Sequence, residues 1–124
     1  MYEQWRRAYP ELAEELDAGI NACSCGINPA DSDKAIPPFP QDYGDATRSA
    51  GAVAINAIAK ANPCFLTTSA DLYSSNKNYL SGAGDFSAET PEGRNFWFGI
   101  REHAMAAICN GIAYDGLFRV CLLY

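Results

Sequence analysis

Long apolar runs are missing from this 124-residue chain. None approaches the roughly 18 to 20 residues that carry a helix across a bilayer, so no membrane span is expected. The N-terminal stretch Met1-Tyr2-Glu3-Gln4-Trp5-Arg6-Arg7 lacks the apolar core of a signal peptide, which leads us to expect a soluble, cytoplasmic chain. Positive charge is also scarce, with nine Lys and Arg against 15 Asp and Glu and a net charge of −6. A chain of that sign has no long-range field to concentrate phosphate-rich polymers, and nucleic acid is not expected as a partner. Histidine occurs once, at His103. No internal repeat or long low-complexity segment is evident.

Cysteine is present but not in a pattern that builds a framework. The five residues Cys23, Cys25, Cys64, Cys109 and Cys121 form an odd set. Three of them stand alone in apolar stretches, where a reduced thiol behaves as a small hydrophobe. The Cys23-x-Cys25 pair would need partners to hold zinc, which takes about four ligands, and no second pair or well-spaced histidine lies nearby. No metal site is expected from these residues. With 48% hydrophobic residues the chain is sufficient for one domain, burying roughly two thirds of its unfolded surface.

Trp5, Tyr9, Leu12, Ala13 and Leu16 recur at helical spacing, and Pro10 followed by Glu11, Glu14 and Glu15 has the character of a first turn. These predict a helix over about 9 to 18. Gly19 to Asp45 holds Gly26, Pro29, Pro37, Pro38, Pro40 and Gly44 with no sustained period, which describes an extended connector. Asp45 is a candidate N-cap for a helix over 46 to 61, stopped by Pro63. The short run 64 to 68 suits a buried strand, and a polar stretch from Ser69 to Arg94 follows. A second strand is expected over 95 to 100, a helix over 101 to 114 and a third strand over 117 to 123 after the Asp115-Gly116 turn. That order implies an α/β domain, a partial parallel sheet with flanking helices.

In open parallel sheets ligands bind beyond the carboxyl ends of strands, and Asp71 and Glu102 follow the first and second predicted strands. Each has an ordinary role open to it. Glu102 would also favour the dipole of the helix it starts, by some 0.3 to 1 kcal/mol, and on position alone that is the better reading. Asp71 would serve equally as a turn or cap residue.

The residues themselves say more. Ala46-Thr47-Arg48, Ser69-Ala70-Asp71-Leu72-Tyr73-Ser74-Ser75-Asn76, and Gly93-Arg94-Asn95 leading through Phe98-Gly99-Ile100-Arg101-Glu102-His103-Ala104-Met105 resemble the central region of transketolases, in that family's order and at similar separations. The resemblance runs from about Tyr2 to Arg119, and several spaced blocks are more specific than one motif. It implies three parts: an N-terminal helical segment at 1–18, a Pro/Gly-rich interdomain linker at 19–45, and a truncated pyrimidine-binding domain of a thiamine diphosphate site at 46–124.

What the resemblance implies at single residues is equally definite. Glu102 matches the glutamate that hydrogen-bonds N1′ of the cofactor's aminopyrimidine, where sharing a proton favours the imino form of the adjacent amino group and so activates C2. His103 makes no dyad with it, because adjacent helical residues point about 100° apart. Arg48 and Ser75 match residues that bind a sugar phosphate, a role suited to a guanidinium fork and a hydroxyl. Asp71 matches an aspartate beside the cofactor and the subunit boundary.

The resemblance also implies thiamine diphosphate and Mg as cofactors, sugar phosphates as substrates, and a homodimer-type contact, with the site shared between two subunits. The diphosphate and metal ligands belong to another domain of the family, and no Gly-Asp-Gly motif with a downstream asparagine occurs here. Two departures stand out. Thr67-Thr68 occupies a place where the family commonly has Gly-Gly, which would put two side chains where backbone makes a close approach. After Arg119-Val120 the residues Cys121-Leu122-Leu123-Tyr124 no longer resemble the family, and a truncated or frame-shifted reading frame is expected.

The expectation is therefore a transketolase-like fragment, inactive alone, whose full-length relatives move a two-carbon ketol unit between sugar phosphates. The alternatives are a formaldehyde-accepting transketolase relative and a non-catalytic interaction domain that dimerises with an intact transketolase.

Overall fold

A computed structural model describes residues 1–25 and 34–123. Helix α1 spans Tyr2–Ala8 and α2 spans Pro10–Cys25. Pro10 sits at the first position of α2, where its missing N–H is no loss. An Arg6–Asp17 ion pair at 2.6 Å joins the two helices, and with both side chains over a third exposed it contributes no more than about 1 kcal/mol. The expected end of this helix near residue 18 is corrected, since α2 continues to Cys25. Gly19 costs the helix about 1 kcal/mol relative to Ala, which does not stop it when no proline follows within the next turns. The remaining connector lies partly outside the described residues, at 26–33, and then runs through bends and turns over 37–46. Phe39 and Tyr43 pack edge to face there at 4.9 Å.

Helix α3 covers Thr47–Ala61. Asp45 stands one residue outside the cap position, which Ala46 occupies, and its Oδ1 accepts from the Ala46 N–H at 2.6 Å. That hydrogen bond, with a second from the Ser49 side chain, holds the Asp45 carboxyl below its ordinary range.

The sheet has three strands, β1 (Phe65–Ser69), β2 (Asn95–Trp97) and β3 (Arg119–Leu123), in the order β2-β1-β3 and all parallel. Thr67 sits opposite Asn95, and Phe65 opposite Arg119. The second strand is shorter than its apolar run suggests. Gly99 adopts φ +65°, a left-handed turn that carries the chain off the sheet. Between β1 and β2 the polar stretch contains an unexpected short helix, α4 (Tyr73–Asn76), closed by Lys77 at φ 57°. Helix α5 (Glu102–Asp115) ends on Gly116 at φ 86°, as the Asp-Gly turn predicts.

Alternation along β1 divides the interior in two. Leu66 and Thr68 face α5, where Thr68 Oγ1 lies 3.5 Å from Cys109 Sγ and where Ala70, Met105 and Cys109 form an apolar core with Phe98 and Val120. Thr67 faces a polar layer built by Tyr73 and Asn95. The Tyr73 hydroxyl lies 2.9 Å from the Thr67 carbonyl and 3.2 Å from that of Phe96, and burial pushes its pKa up to about 12.

Candidate active site

The first question is which end of the sheet each predicted residue occupies. The C-terminal end of α3 lies at the start of β1, because Arg94 Nη1 reaches the carbonyls of Ala59 at 3.0 Å and Phe65 at 3.5 Å. The N-terminal end of α3 must then lie about 22 Å away, near the carboxyl end of the strands. A direct contact agrees with this: Lys77, which follows β1 and α4, donates from Nζ to Ser49 Oγ at 2.7 Å. Arg48 is therefore at the carboxyl end of the sheet, together with Asp71 after β1, Ser75 in α4, and Glu102 after β2.

All four are exposed. Arg48 lines a cleft of about 340 Å³ together with Thr47, Gly51, Ala52, Ile55, Asn76 and Lys77. Ser75 is not among its lining residues, although its neighbours are. Glu102 begins α5, after residues 98–101 that follow the end of β2. The preceding Arg101 does not pair with it, because its guanidinium folds back onto the Phe98 carbonyl at 2.6 Å. Among the described residues no group hydrogen-bonds to the Glu102 carboxylate, which stands open to solvent. Asp71 and Glu102 follow adjacent parallel strands, whose axes lie about 4.8 Å apart. Leu72 and Ile100, close to them in sequence, and Trp97 at the end of β2 are exposed apolar residues, Ile100 by 80%.

Thr67 and Thr68 answer the question raised by their departure from Gly-Gly. Both are fully buried, and neither hydroxyl is orphaned. Thr67 Oγ1 donates to Asn95 Oδ1 at 3.0 Å, and Thr68 Oγ1 reaches the Cys121 carbonyl at 3.4 Å. Their side chains point into the sheet's two faces and not at the strand end. The polar atoms that are buried without a partner among the described residues, Ser69 Oγ, Asn76 Nδ2 and Asn78 Oδ1, lie at and just beyond the end of β1. That end of the sheet thus holds polar groups that no partner among the described residues satisfies.

Sequence patterns missed the polar residues that hold this geometry. Asn95 uses its whole amide, accepting from Leu80 N at 2.8 Å and donating to the Leu80 and Gly84 carbonyls at 3.1 and 2.9 Å. Asn56 joins α3 to the same segment through the Tyr79 carbonyl and the Ser81 N–H. A hydrophobic period is blind to such residues. The Cys23 and Cys25 side chains lie outside the described set, and among the described residues no three His, Cys, Asp or Glu groups gather to hold a metal.

A three-stranded parallel sheet with flanking helices defines a domain of the open α/β class. The family is shown by comparison with known proteins. The family described as "Transketolase, pyrimidine binding domain" matches residues 44–124, and the chain belongs to it. A transketolase of Physarum polycephalum is 46% identical over 121 residues, covering 96% of this chain and 17% of that protein. One from Bacillus subtilis is 41% identical over 119 residues, again 96% of this chain and 17% of that protein. Among solved structures, the Pichia stipitis transketolase in complex with sedoheptulose 7-phosphate superposes with a TM-score of 0.79 at 34% identity, over 98% of this chain and 18% of that one. A Campylobacter jejuni transketolase gives 0.69 at 41% identity over 93% of this chain and 16% of that one. The chain spans about a sixth of the length of these relatives. Among the described residues no helix is long and apolar enough to cross a membrane.

Proposed function

We propose that this chain supplies the pyrimidine-side half of a thiamine diphosphate site, and that in a complete enzyme the site transfers a two-carbon ketol unit between sugar phosphates. The observation that carries the reading is Glu102: an exposed carboxylate without a hydrogen-bond partner among the described residues, at the start of α5 and beyond the carboxyl end of β2, within the matched family span. The role assigned to Glu102 is to hold and share a proton at ring N1′. Bound thiamine diphosphate supplies the nucleophilic carbon that takes up the ketol unit.

Asp71, one strand away, is assigned polar support beside the cofactor, and Arg48 with Ser75 the substrate phosphate. Residues 46–124 form this half-site, which the matched span 44–124 supports. A helical arm and a linker precede it, expected at 1–18 and 19–45, with the boundary moved to Cys25 because α2 continues to that residue. A Mg ion and the diphosphate are assigned to a domain other than this one. The exposed Leu72, Trp97 and Ile100 beside Asp71 and Glu102 favour a subunit contact at the same edge. The isolated chain is expected to be inactive and to work in the cytoplasm only as part of a larger assembly.

Glu102→Gln, made in a full-length enzyme rebuilt around this segment, tests the reading. The substitution keeps the shape and a hydrogen bond but cannot share the proton, so deuterium exchange at the cofactor C2 should slow by about 10² to 10⁴ while the melt is preserved. If Glu102 merely complements the helix dipole, exchange stays normal and only about 0.3 to 1 kcal/mol of stability is lost. That second outcome would overturn the proposal.

A further inference from the structure

We infer that Lys77 is a second phosphate-binding cation of the Arg48 cleft, so that this site closes on a phosphate monoester from two sides; the inference rests on the phosphate reading of Arg48 above. Lys77 and Arg48 come from different elements, yet both line the same cleft. Lys77 is held there. Its Nζ donates to Ser49 Oγ at 2.7 Å across the mouth of α3, which spends one of three ammonium donors and leaves two for an anion.

The backbone shows that this placement is not casual. Lys77 has φ 57° and, among the described residues, is the one non-glycine with positive φ. A left-handed residue with a side chain carries a backbone cost that glycine would avoid. The turn that imposes this conformation also throws the side chain back toward the first turn of α3.

Charge and donors converge at the same place. Two cations at a helix N-terminus repel its positive end, so the pair is electrostatically poor without an anion between them. Asp45 offsets part of the charge, since its carboxylate is hydrogen-bonded to Ala46 and Ser49 and feels both Lys77 and Arg48. One carboxylate does not neutralise two cations and a helix end. Asn76, also on the cleft, has a buried Nδ2 donor with no partner among the described residues. The unmet requirement is for a dianion with several acceptor oxygens, which describes a phosphate monoester.

The test is titration of the 124-residue chain with ribose 5-phosphate, with ribose as control, following backbone amide shifts. The expected result is shifts at Arg48, Asn76 and Lys77 with the phosphate ester and none with ribose. Lys77→Asn, which tolerates the left-handed turn, should weaken the phosphate ester at least about fivefold, as should Arg48→Ala, while Lys77→Arg stays near wild type. If Lys77→Asn perturbs folding, Lys77→Gly removes the cation and the strain together and should show the same loss. Unchanged affinity in the Lys77 variants beside a loss in Arg48→Ala would overturn this inference and leave the Arg48 reading standing. Unchanged affinity in all of them would overturn both.

Discussion

Replacing Asn95 by alanine should be among the most destabilising single changes available to this chain. The side chain is fully buried at the start of β2, and its amide uses all four of its hydrogen-bonding positions: Thr67 Oγ1, Leu80 N, Leu80 O and Gly84 O, at 2.8 to 3.1 Å. Asn95→Ala removes the partner of every one. A buried polar group left unsatisfied costs about 1 to 3 kcal/mol, but water entering the vacated volume recovers part, so a net loss of roughly 3 to 5 kcal/mol follows. Total stability for a domain of this size is about 5 to 15 kcal/mol, which makes the loss a large fraction of the whole. Denaturant unfolding followed by circular dichroism would report it as a shifted midpoint at constant slope. A change below about 1 kcal/mol would refute the reasoning, because it would mean that these groups find water or each other without Asn95.

Gly93→Ala would place a Cβ only 2.2 Å from the Asp85 carbonyl and should destabilise by about 1 to 3 kcal/mol or prevent folding, visible as a lowered melting temperature. Tyr73 favours its neutral form in the fold, burial pushing its pKa from the ordinary 10.0 up to about 12, so its contribution is complete below pH 10.0. As pH rises toward 12 the unfolded chain ionises first and stability is lost in that window; Tyr73→Phe should make the fall shallower in alkaline melts, the remaining slope coming from groups such as Tyr79 and Cys121, whose pKa values are also raised. In a rebuilt full-length enzyme, Arg48→Ala should raise KM for phosphorylated sugars about tenfold with a smaller effect on unphosphorylated acceptors, and equal losses for both would make Arg48 structural.

How far the sequence could be read depends on which force sets each feature. The strands and α5 were legible because apolar runs, Gly116 and the absence of proline act locally. The end of α2 was not, since a single glycine weakens a helix without deciding where it stops. Helix α4 was hidden for another reason. Its anchor, Tyr73, is buried by the long-range contacts of its hydroxyl with Thr67 and Phe96 and of its ring with Trp97 at 4.6 Å, none of which a local pattern contains. Arg48, Asp71, Ser75 and Glu102 were singled out as candidates through motif blocks and not through periodicity. Topology alone could place Asp71 and Glu102 at a strand end, but it could not bring Arg48 there, because that needs the direction of α3, fixed by Arg94 at one end and Lys77 at the other.

The Thr67-Thr68 pair shows how a departure from a family pattern is accommodated within a strand. Placed in the central strand of a parallel sheet, two β-branched residues suit the backbone, and only their hydroxyls need an answer. Each receives a different one: Asn95 and Tyr73 on one face, Cys109 and the Cys121 carbonyl on the other. Neither answer draws on Asp71 or Glu102. The polar layer around Asn95 therefore has a second duty beside holding β2 in register, which is to make a threonine acceptable at position 67. It follows that Thr67→Val should be more harmful than its unchanged shape suggests. Asn95 Oδ1 would lose one of its two donors in a site closed to water, and about 1 to 2 kcal/mol should be lost. Thr68→Val removes only weaker contacts at 3.4 and 3.5 Å from a neighbourhood that already includes Met105 and Cys109, and should be close to neutral. Denaturant midpoints of the two variants measured side by side decide the matter, and equal effects would show that the two hydroxyls are interchangeable and the assignment of Asn95 as the partner of Thr67 is wrong.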